Sequence, residues 1–457
     1  MSYASRRTCI KSGLLSASLL MSCVLLGCSP QSSQILSEAT QSLEKHADAD
    51  PQIQALIDAA LASDVGYSVV ESLTTEIGPR LAGSDAEARA REWGVAKLKS
   101  LGFENVRIEP FTVPGWELGI ETASIQFPSP QKLYITALGG SVATPSGGVT
   151  APVAYFPTFE DLENAPDEGL EGKIVYISGR MEKAPDGAGY GPANRKRRSG
   201  ASEAAIRGAV AVLIRSVGTD SHRFPHTGQM RYADDVKKIP IAAMSGPDAD
   251  QMDRLLAGGD TVMTVNMEIG PRFLGELPSG NVIGEIVGSE RPEEIIVVGG
   301  HLDSWDLGTG AIDDGAGVGI TVGAAKVIME SGLKPKRTIR VVMFGAEEIG
   351  LLGGSAYAQQ HKDELANHIT AMESDFGAGP VYEVRPGKTQ ASKAFAAKLQ
   401  AQIEHLGVAL SETESGGGPD IVAMNAAGVP SVRLQQNGFD YFDLHHTPDD
   451  TLDKIDP

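Results

Sequence analysis

Glu294-Ile295-Ile296-Val297-Val298-Gly299-Gly300-His301-Leu302-Asp303 runs from an apolar strand straight into a polar loop, and the sequence around it repeats that pattern. The apolar runs Asn281–Ile286, Glu294–Val298, Thr338–Phe344, Ile369–Met372 and Ser431–Leu434 read as strands. Helices are predicted between and after them, over Ala316–Met329, Leu352–Gln360, Ser392–Leu406 and Ile421–Asn425. Strands that alternate with helices imply an α/β fold built on a mostly parallel, mixed sheet flanked by helices.

The polar residues fall at one kind of place on that map. His301 and Asp303 follow the Val297-Val298 strand, and Asp313-Asp314-Gly315 occupies the Gly-rich loop before the next helix. Glu347-Glu348 follow Met343-Phe344, Asp375 follows Ile369–Met372, and His445-His446 come after the last strand. Taken singly each is ambiguous. A His-x-Asp pair is usually an ordinary loop, Asp-Asp-Gly a turn, and Glu-Glu at a helix start a match to the dipole. Open α/β sheets bind ligands at the carboxyl ends of their strands, and all of these groups are expected there together.

Two imidazoles and three carboxylates from among these groups suit zinc, which takes nitrogen and oxygen donors. Five ligands are too few to close two separate tetrahedral sites unless one carboxylate bridges. Two Zn²⁺ ions against three carboxylates leave one positive charge, which a hydroxide nucleophile would neutralise. Adjacent glutamates point in different directions, so one of Glu347 and Glu348 can reach metal while the other faces the water. Asp303 is placed to accept the second imidazole N–H of His301.

Five stretches then carry a resemblance: His301-Leu302-Asp303-Ser304-Trp305-Asp306, Ala311-Ile312-Asp313-Asp314-Gly315-Ala316-Gly317, Ala346-Glu347-Glu348, Met372-Glu373-Ser374-Asp375 and His445-His446-Thr447. In order and spacing the chain resembles the co-catalytic zinc aminopeptidase and glutamate carboxypeptidase family, and most of all its carboxypeptidase Q branch. The resemblance implies Asp313 as the bridging ligand, His301 and Asp375 on one zinc, Glu348 and His446 on the other, and Glu347 as general base. His445 would stand where relatives carry an oxyanion-stabilising group, and a cis peptide is implied between Asp313 and Asp314. It also implies hydrolysis of dipeptides and short peptides from a free terminus, and a homodimer. A further helix is expected beyond Asp456-Pro457. An aminopeptidase of the same family is the alternative, and a non-catalytic receptor on the same scaffold is disfavoured because such relatives lose metal ligands.

Outward from this core, residues 276–457 form the catalytic part and residues 51–116 its N-terminal portion. A helix is expected from Pro51 to Ser72, another from Ser84-Asp85 to Ser100, and a strand over Val106–Val113. Residues 117–275 change texture to short strands with many Gly and Pro, including Lys173–Ile177 and Ala209–Ile214, with a helix over Ser202–Arg207. This is a β-rich inserted domain. Through Leu213–Val217, Pro225–Gly228 and Lys238–Pro240 it is similar to a protease-associated domain. The run Arg195-Lys196-Arg197-Arg198 reads as a solvated loop.

Residues 29–50 are a polar tether. Arg6, Arg7 and Lys11 precede an apolar stretch that ends in Leu25-Leu26-Gly27-Cys28, a lipoprotein signal peptide over 1–28 whose Cys28 would be acylated. All three cysteines lie in this segment, so no disulfide is expected. Ser29 after the cysteine points to an outer-membrane anchor facing the periplasm. A net charge of −20 repels phosphate backbones and argues against nucleic acid as a partner.

Overall fold

A computed structural model describes residues 50–259 and 262–457; the Leu25–Cys28 motif and residues 29–49 of the tether lie outside the described residues. Helix α1 (Pro51–Leu61) starts at Asp50, whose side chain accepts from Gln52 N. The single helix expected to Ser72 is instead two, because Ser63 Oγ accepts the Val65 N–H and begins α2 (Val65–Glu76) afresh. Ser84 caps α3 (Asp85–Leu101), and Gly102 closes it in the left-handed region. Strand β1 (Glu104–Glu117) then leads out of the core.

The excursion comprises β2 (Glu121–Phe127), β3 (Gln131–Leu133), β4 (Ile135–Ala137), β5 (Val149–Phe156), α4 (Phe159–Glu163), β6 (Ile174–Ile177), α5 (Tyr190–Ala205), β7 (Ala211–Arg215), β8 (Ile241–Met244), α6 (Gly246–Leu256) and β9 (Thr264–Ile269). Its sheet has the order β3-β2-β9-β5-β6-β7-β8-β4. Ile174 and Tyr176 face one buried side and Val175 and Ile177 the other, so both faces are covered. The first face also holds Trp116 and Trp305, and the second Ile312, Phe376, Tyr441 and Phe442. The insert therefore shares its core with loops of the catalytic sheet.

The basic run departs from expectation. Arg195–Arg198 lies within α5, which starts at Tyr190 because Pro192 is tolerated in a first turn. Arg195 and Arg198 face solvent, but Lys196 and Arg197 are buried. Lys196 Nζ donates to the Ser178 and Gly179 carbonyls at the end of β6, and burial pushes its amine down to about 7.

Strand β10 (Arg272–Ile286) returns alongside β1, antiparallel from Glu117↔Arg272 to Glu104↔Glu285. Next come β11 (Arg291–His301), α7 (Ala316–Glu330), β12 (Arg337–Phe344), α8 (Leu352–Gln360) and β13 (His368–Glu373). The sheet order is β1-β10-β12-β11-β13, with β12, β11 and β13 mutually parallel. Val341 and Met343 pack under α2, α3 and α7, while Val342 and Phe344 meet Tyr357 and Ile421 on the other face. That period of two is what the apolar run encodes.

The chain ends with β14 (Val381–Pro386), α9 (Gln390–Ile403), β15 (Ala409–Leu410), α10 (Val422–Ala426), β16 (Val432–Gln436) and α11 (Tyr441–Leu444). Here the single edge expected from sequence is modified. β16 belongs to a three-stranded sheet, β15-β14-β16, and is joined to the larger sheet by the isolated parallel bridge Ala371↔Ser431 just before it. The Glu373 N–H goes to Gly417 O, so the Gly-rich loop takes the hydrogen bond a neighbouring strand would have made.

Candidate active site

His301 is the last residue of β11, and Asp313 sits in an irregular turn, Ala311–Gly315, whose Asp313-Asp314 peptide is cis. Asp314 supports that turn from below: Oδ2 accepts His301 N at 3.0 Å and Oδ1 accepts Gly317 N at 3.0 Å. Glu347-Glu348 follow β12 in a tight turn before α8 rather than at a helix start, with Ala346 and Leu351 both at positive φ. Asp375 follows β13, and His445-His446 follow α11. The structure brings all of these groups together.

Asp313 is the centre. Its Oδ1 is 3.0 Å from His301 Nε2, while its Oδ2 is 3.3 Å from His446 Nε2 and 3.6 Å from His445 Nε2. Asp375 Oδ1 stands 3.9 Å from His301 Nε2, and Glu348 Oε2 stands 2.9 Å from His446 Nε2. The two oxygens of one carboxylate thus face two separate donor sets.

The far side of each imidazole is met by the fold. His301 Nδ1 faces the Asp303 main-chain oxygen at 2.9 Å, and His446 Nδ1 faces Thr227 O at 3.3 Å. A proton on His301 Nδ1 leaves its Nε2 lone pair pointed at Asp313, while His446 Nδ1 also has Arg197 Nη1 at 3.4 Å. The expected role of the Asp303 side chain is corrected here. Its Oδ1 is 3.7 Å from His301 Nδ1, and the carboxylate instead accepts Glu347 N at 3.0 Å and Glu348 N at 3.3 Å. The main chain of Asp303 orients the histidine, which frees its side chain to hold the glutamate turn.

Electrostatics mark the site as built for cations. Burial, with the charges of Asp375 and Glu348, raises the Glu347 carboxyl well above its ordinary range. Burial likewise raises Glu348 and Asp375. Against the same desolvation, His301 and His446 hold Asp313 well below its usual value. His446 rises to about 9, its burial outweighed by Glu348 and Asp313. His445 is stacked on His446 with centroids 3.4 Å apart, is pushed down by burial, and has a buried Nδ1 without a partner. Crowded carboxylates with imidazole lone pairs aimed among them fit metal ions.

Sequence reasoning missed the supports. Asp450 accepts Ile312 N at 2.6 Å and Asp313 N at 3.2 Å, holding the bridging residue from behind. Arg80, fully buried, donates to the carbonyls of Leu302, Thr309 and Gly310. Neither carries a local signal, since each acts on main-chain atoms far away in sequence. Asp314 did carry one: an Asp three residues before Gly317 at a helix start is a cap.

The donors open into a cavity of ≈ 360 Å³. One wall comes from the insert through Tyr190, Arg197, Arg198 and Arg231; Phe376 and Arg433 are among the residues of the other. Of the loop Ser415–Asp420, only Pro419 reaches it. The Arg433 guanidinium lies 5.2 Å from the Phe376 ring centre.

Fold and site together define a hydrolase of mixed α/β fold whose acids and imidazoles are set out for metal ions. Residues 281–457 match Peptidase family M28. Carboxypeptidase Q of Bos taurus is 36% identical over 427 residues, 93% of this chain and 88% of the relative. A solved peptidase M28 precursor from Shewanella amazonensis SB2B is 50% identical with a TM-score of 0.86, covering 89% of this chain and 91% of that one. A solved aminopeptidase from Aneurinibacillus sp. strain AM-1 is 26% identical with a TM-score of 0.61, covering 89% of this chain and 92% of that one. The chain belongs to peptidase family M28, and it is a peptide hydrolase.

Proposed function

We propose that this protein is a two-zinc exopeptidase that releases residues from the free carboxyl end of dipeptides and short peptides. The observation that carries the reading is the two-sided reach of Asp313 toward His301 and Asp375 on one side and His446 and Glu348 on the other. His301 and Asp375 would hold one ion, His446 and Glu348 the other, with Asp313 shared. Bound zinc supplies Lewis acidity toward the scissile carbonyl and acidifies water.

The chain's own groups do the rest. Glu347 lines the cavity beside these donors, and its raised carboxyl suits a group that takes a proton from water and returns it to the leaving amine. His445, with its unpartnered Nδ1, is the group available to steady an oxyanion. The cavity volume suits a short peptide and excludes a folded chain.

Charge favours the carboxyl end. Four arginines (Arg197, Arg198, Arg231, Arg433) line the cavity, and none forms an ion pair with a carboxylate among the described residues. The acids that line it are Asp313, Glu347, Glu348 and Asp375, all engaged in the chemistry, so none is left for a free α-amine. The insert is read as a protease-associated domain that roofs the cleft. The Leu25–Cys28 motif is read as a lipid attachment site that holds the enzyme at the outer membrane, facing the periplasm.

The test is a panel of free, N-acetylated and C-amidated dipeptides and tripeptides, plus an unstructured protein, with and without chelator. Acetylated peptides should be cleaved and amidated ones spared, with activity lost in chelator and restored by zinc. Cleavage of amidated but not acetylated peptides, internal fragments from the protein, or full activity in chelator would overturn the reading.

A further inference from the structure

The insert does more than wall the cleft. Its segment from Thr219 to Thr227 runs beside the end of the catalytic chain and bonds to it repeatedly. Thr219 N donates to Phe442 O at 3.0 Å, and Thr219 Oγ1 to Asp443 Oδ1 at 2.6 Å. Thr227 N donates to His446 O at 3.1 Å. Between them His226 Nδ1 meets His445 O at 2.8 Å.

His226 is fixed on every side. It is 1% exposed, its main-chain N donates to Ser216 Oγ at 2.9 Å, and its Nε2 is 2.6 Å from Asp220 Oδ1. A Cβ on Gly218 would fall onto the imidazole, so the ring is packed against bare main chain. Among the described residues no other donor reaches the His445 carbonyl.

That carbonyl matters because of what its neighbours must do. His445 and His446 are consecutive, yet both rings point the same way, stacked, with each Nε2 toward Asp313 Oδ2. An extended chain would send consecutive side chains to opposite faces. The structure avoids this by placing His446 at φ +63°, the left-handed region that non-glycine residues seldom adopt. Such a conformation persists only where surroundings hold it. Here the holders are Thr227, on the His446 carbonyl, and His226, on the His445 carbonyl.

We propose that His226, oriented by Asp220, is a positioning residue through which the insert sets His445 and His446 against Asp313 and so completes the half-site of His446 and Glu348. The inference rests on the two-zinc reading above. Loss of the His226 donor leaves a buried carbonyl unmet and lets the loop relax toward extended backbone. The half-site of His301 and Asp375 has no contact with His226 and is spared.

The experiment uses the full chain as His226→Phe, His226→Asn and Asp220→Asn. Zinc stoichiometry and affinity are read by competition with a chromogenic chelator, beside kcat, KM on a dipeptide, and thermal melting of the metal-free proteins. In His226→Phe one zinc should stay tight and the second weaken by at least ~10-fold, with a similar fall in kcat and KM within about twofold. The Asn amide nitrogen occupies nearly the place of Nδ1, so His226→Asn should restore the second ion and most of kcat. Asp220→Asn, which keeps the ring but loosens its aim, should move in the same direction by less. A wild-type second site in His226→Phe overturns the inference alone. So does equal impairment of the Phe and Asn variants that tracks a loss of metal-free melting temperature, since that is a packing role. Wild-type protein binding fewer than two zincs sinks the functional reading and this inference with it.

Discussion

Glu87, in the first turn of α3, tests whether burial or its arginine governs a carboxyl beneath the site. The residue is fully buried, with Oε2 3.3 Å from Arg91 Nη1 and Oε1 accepting from Ser279 Oγ at 3.2 Å. Burial, with the charge of Asp303 adding and Arg91 opposing, pushes its carboxyl from 4.5 up to about 7. A folded-state value above the unfolded one means the native protein holds a proton the unfolded chain has already lost. Its contribution to stability is therefore fully present below pH 4.5 and is lost as pH rises through about 7. The difference between about 7 and 4.5, at about 1.4 kcal/mol per unit, makes the ionised residue a burden of about 3 kcal/mol at pH 8.

Glu87→Gln keeps the shape of the protonated acid and removes the ionisation. The value of about 7 already includes the opposing charge of Arg91, so the net gain at pH 8 is about 3 kcal/mol. For a chain of this length that corresponds to a rise in Tm of roughly 2–4 °C. The assay is thermal unfolding of wild type and variant side by side at pH 5, 6, 7 and 8. Effects of other titrating groups cancel in the difference, which should grow with pH and shrink toward zero near pH 5. A difference constant across that range would mean Arg91 keeps Glu87 ionised throughout, and the desolvation argument would be wrong.

Glu347→Gln should retain both zincs yet lose at least ~10²-fold in kcat, as expected for removal of a general base. Glu348→Ala should instead lose metal, so elemental analysis of the two purified variants separates base from ligand. Arg231→Gln should raise KM for an acetylated dipeptide by about tenfold with kcat nearly unchanged, since a charge-assisted hydrogen bond is removed far from the reacting atoms; a fall confined to kcat would exclude it from binding. Mass spectrometry of the membrane fraction should find Cys28 as an acylated N-terminus, and an intact Met1 there would remove the lipid anchor.

How much of this was legible depended on whether a residue acts near its own position in the chain. β12 was readable because Thr338–Phe344 is largely apolar and bounded by turns, and the alternation of its side chains between two buried faces follows directly. β11 was cut short at Val298 because Gly299 and Gly300 carry no strand signal. They are strand all the same, and a Cβ on Gly300 would come within 2.6 Å of Asp314 Oδ2. The glycine marks the close approach of β11 to the turn that carries Asp313. The groups His301, Asp313, Glu347, Glu348, Asp375 and His446 were legible for a similar reason. Each follows a strand, a turn or, for His446, a short helix, and the fold gathers those ends at one place.

Their supports obey a different rule. Asp450 and Arg80 act on main-chain atoms of remote loops, and Asp303 serves the glutamate turn across the gap between two strands. The Arg195–Arg198 run was misread because a charge count cannot see acceptors, whereas Lys196 and Arg197 are buried on carbonyls of Ser178, Gly179 and Thr227. Both errors have one physical origin. Burying a polar group is tolerable only when its hydrogen bonds are met, and the partners come from wherever the fold places them. In this protein many of those partners come from the insert, which shares its core with Phe376, Tyr441 and Phe442 and bonds to His445 and His446. The part of the chain whose role was hardest to read is thus the part that shapes one side of the active site. A catalytic half cut free of residues 121–269 would expose that shared apolar face and release the His445-His446 loop, so the site belongs to the two parts jointly.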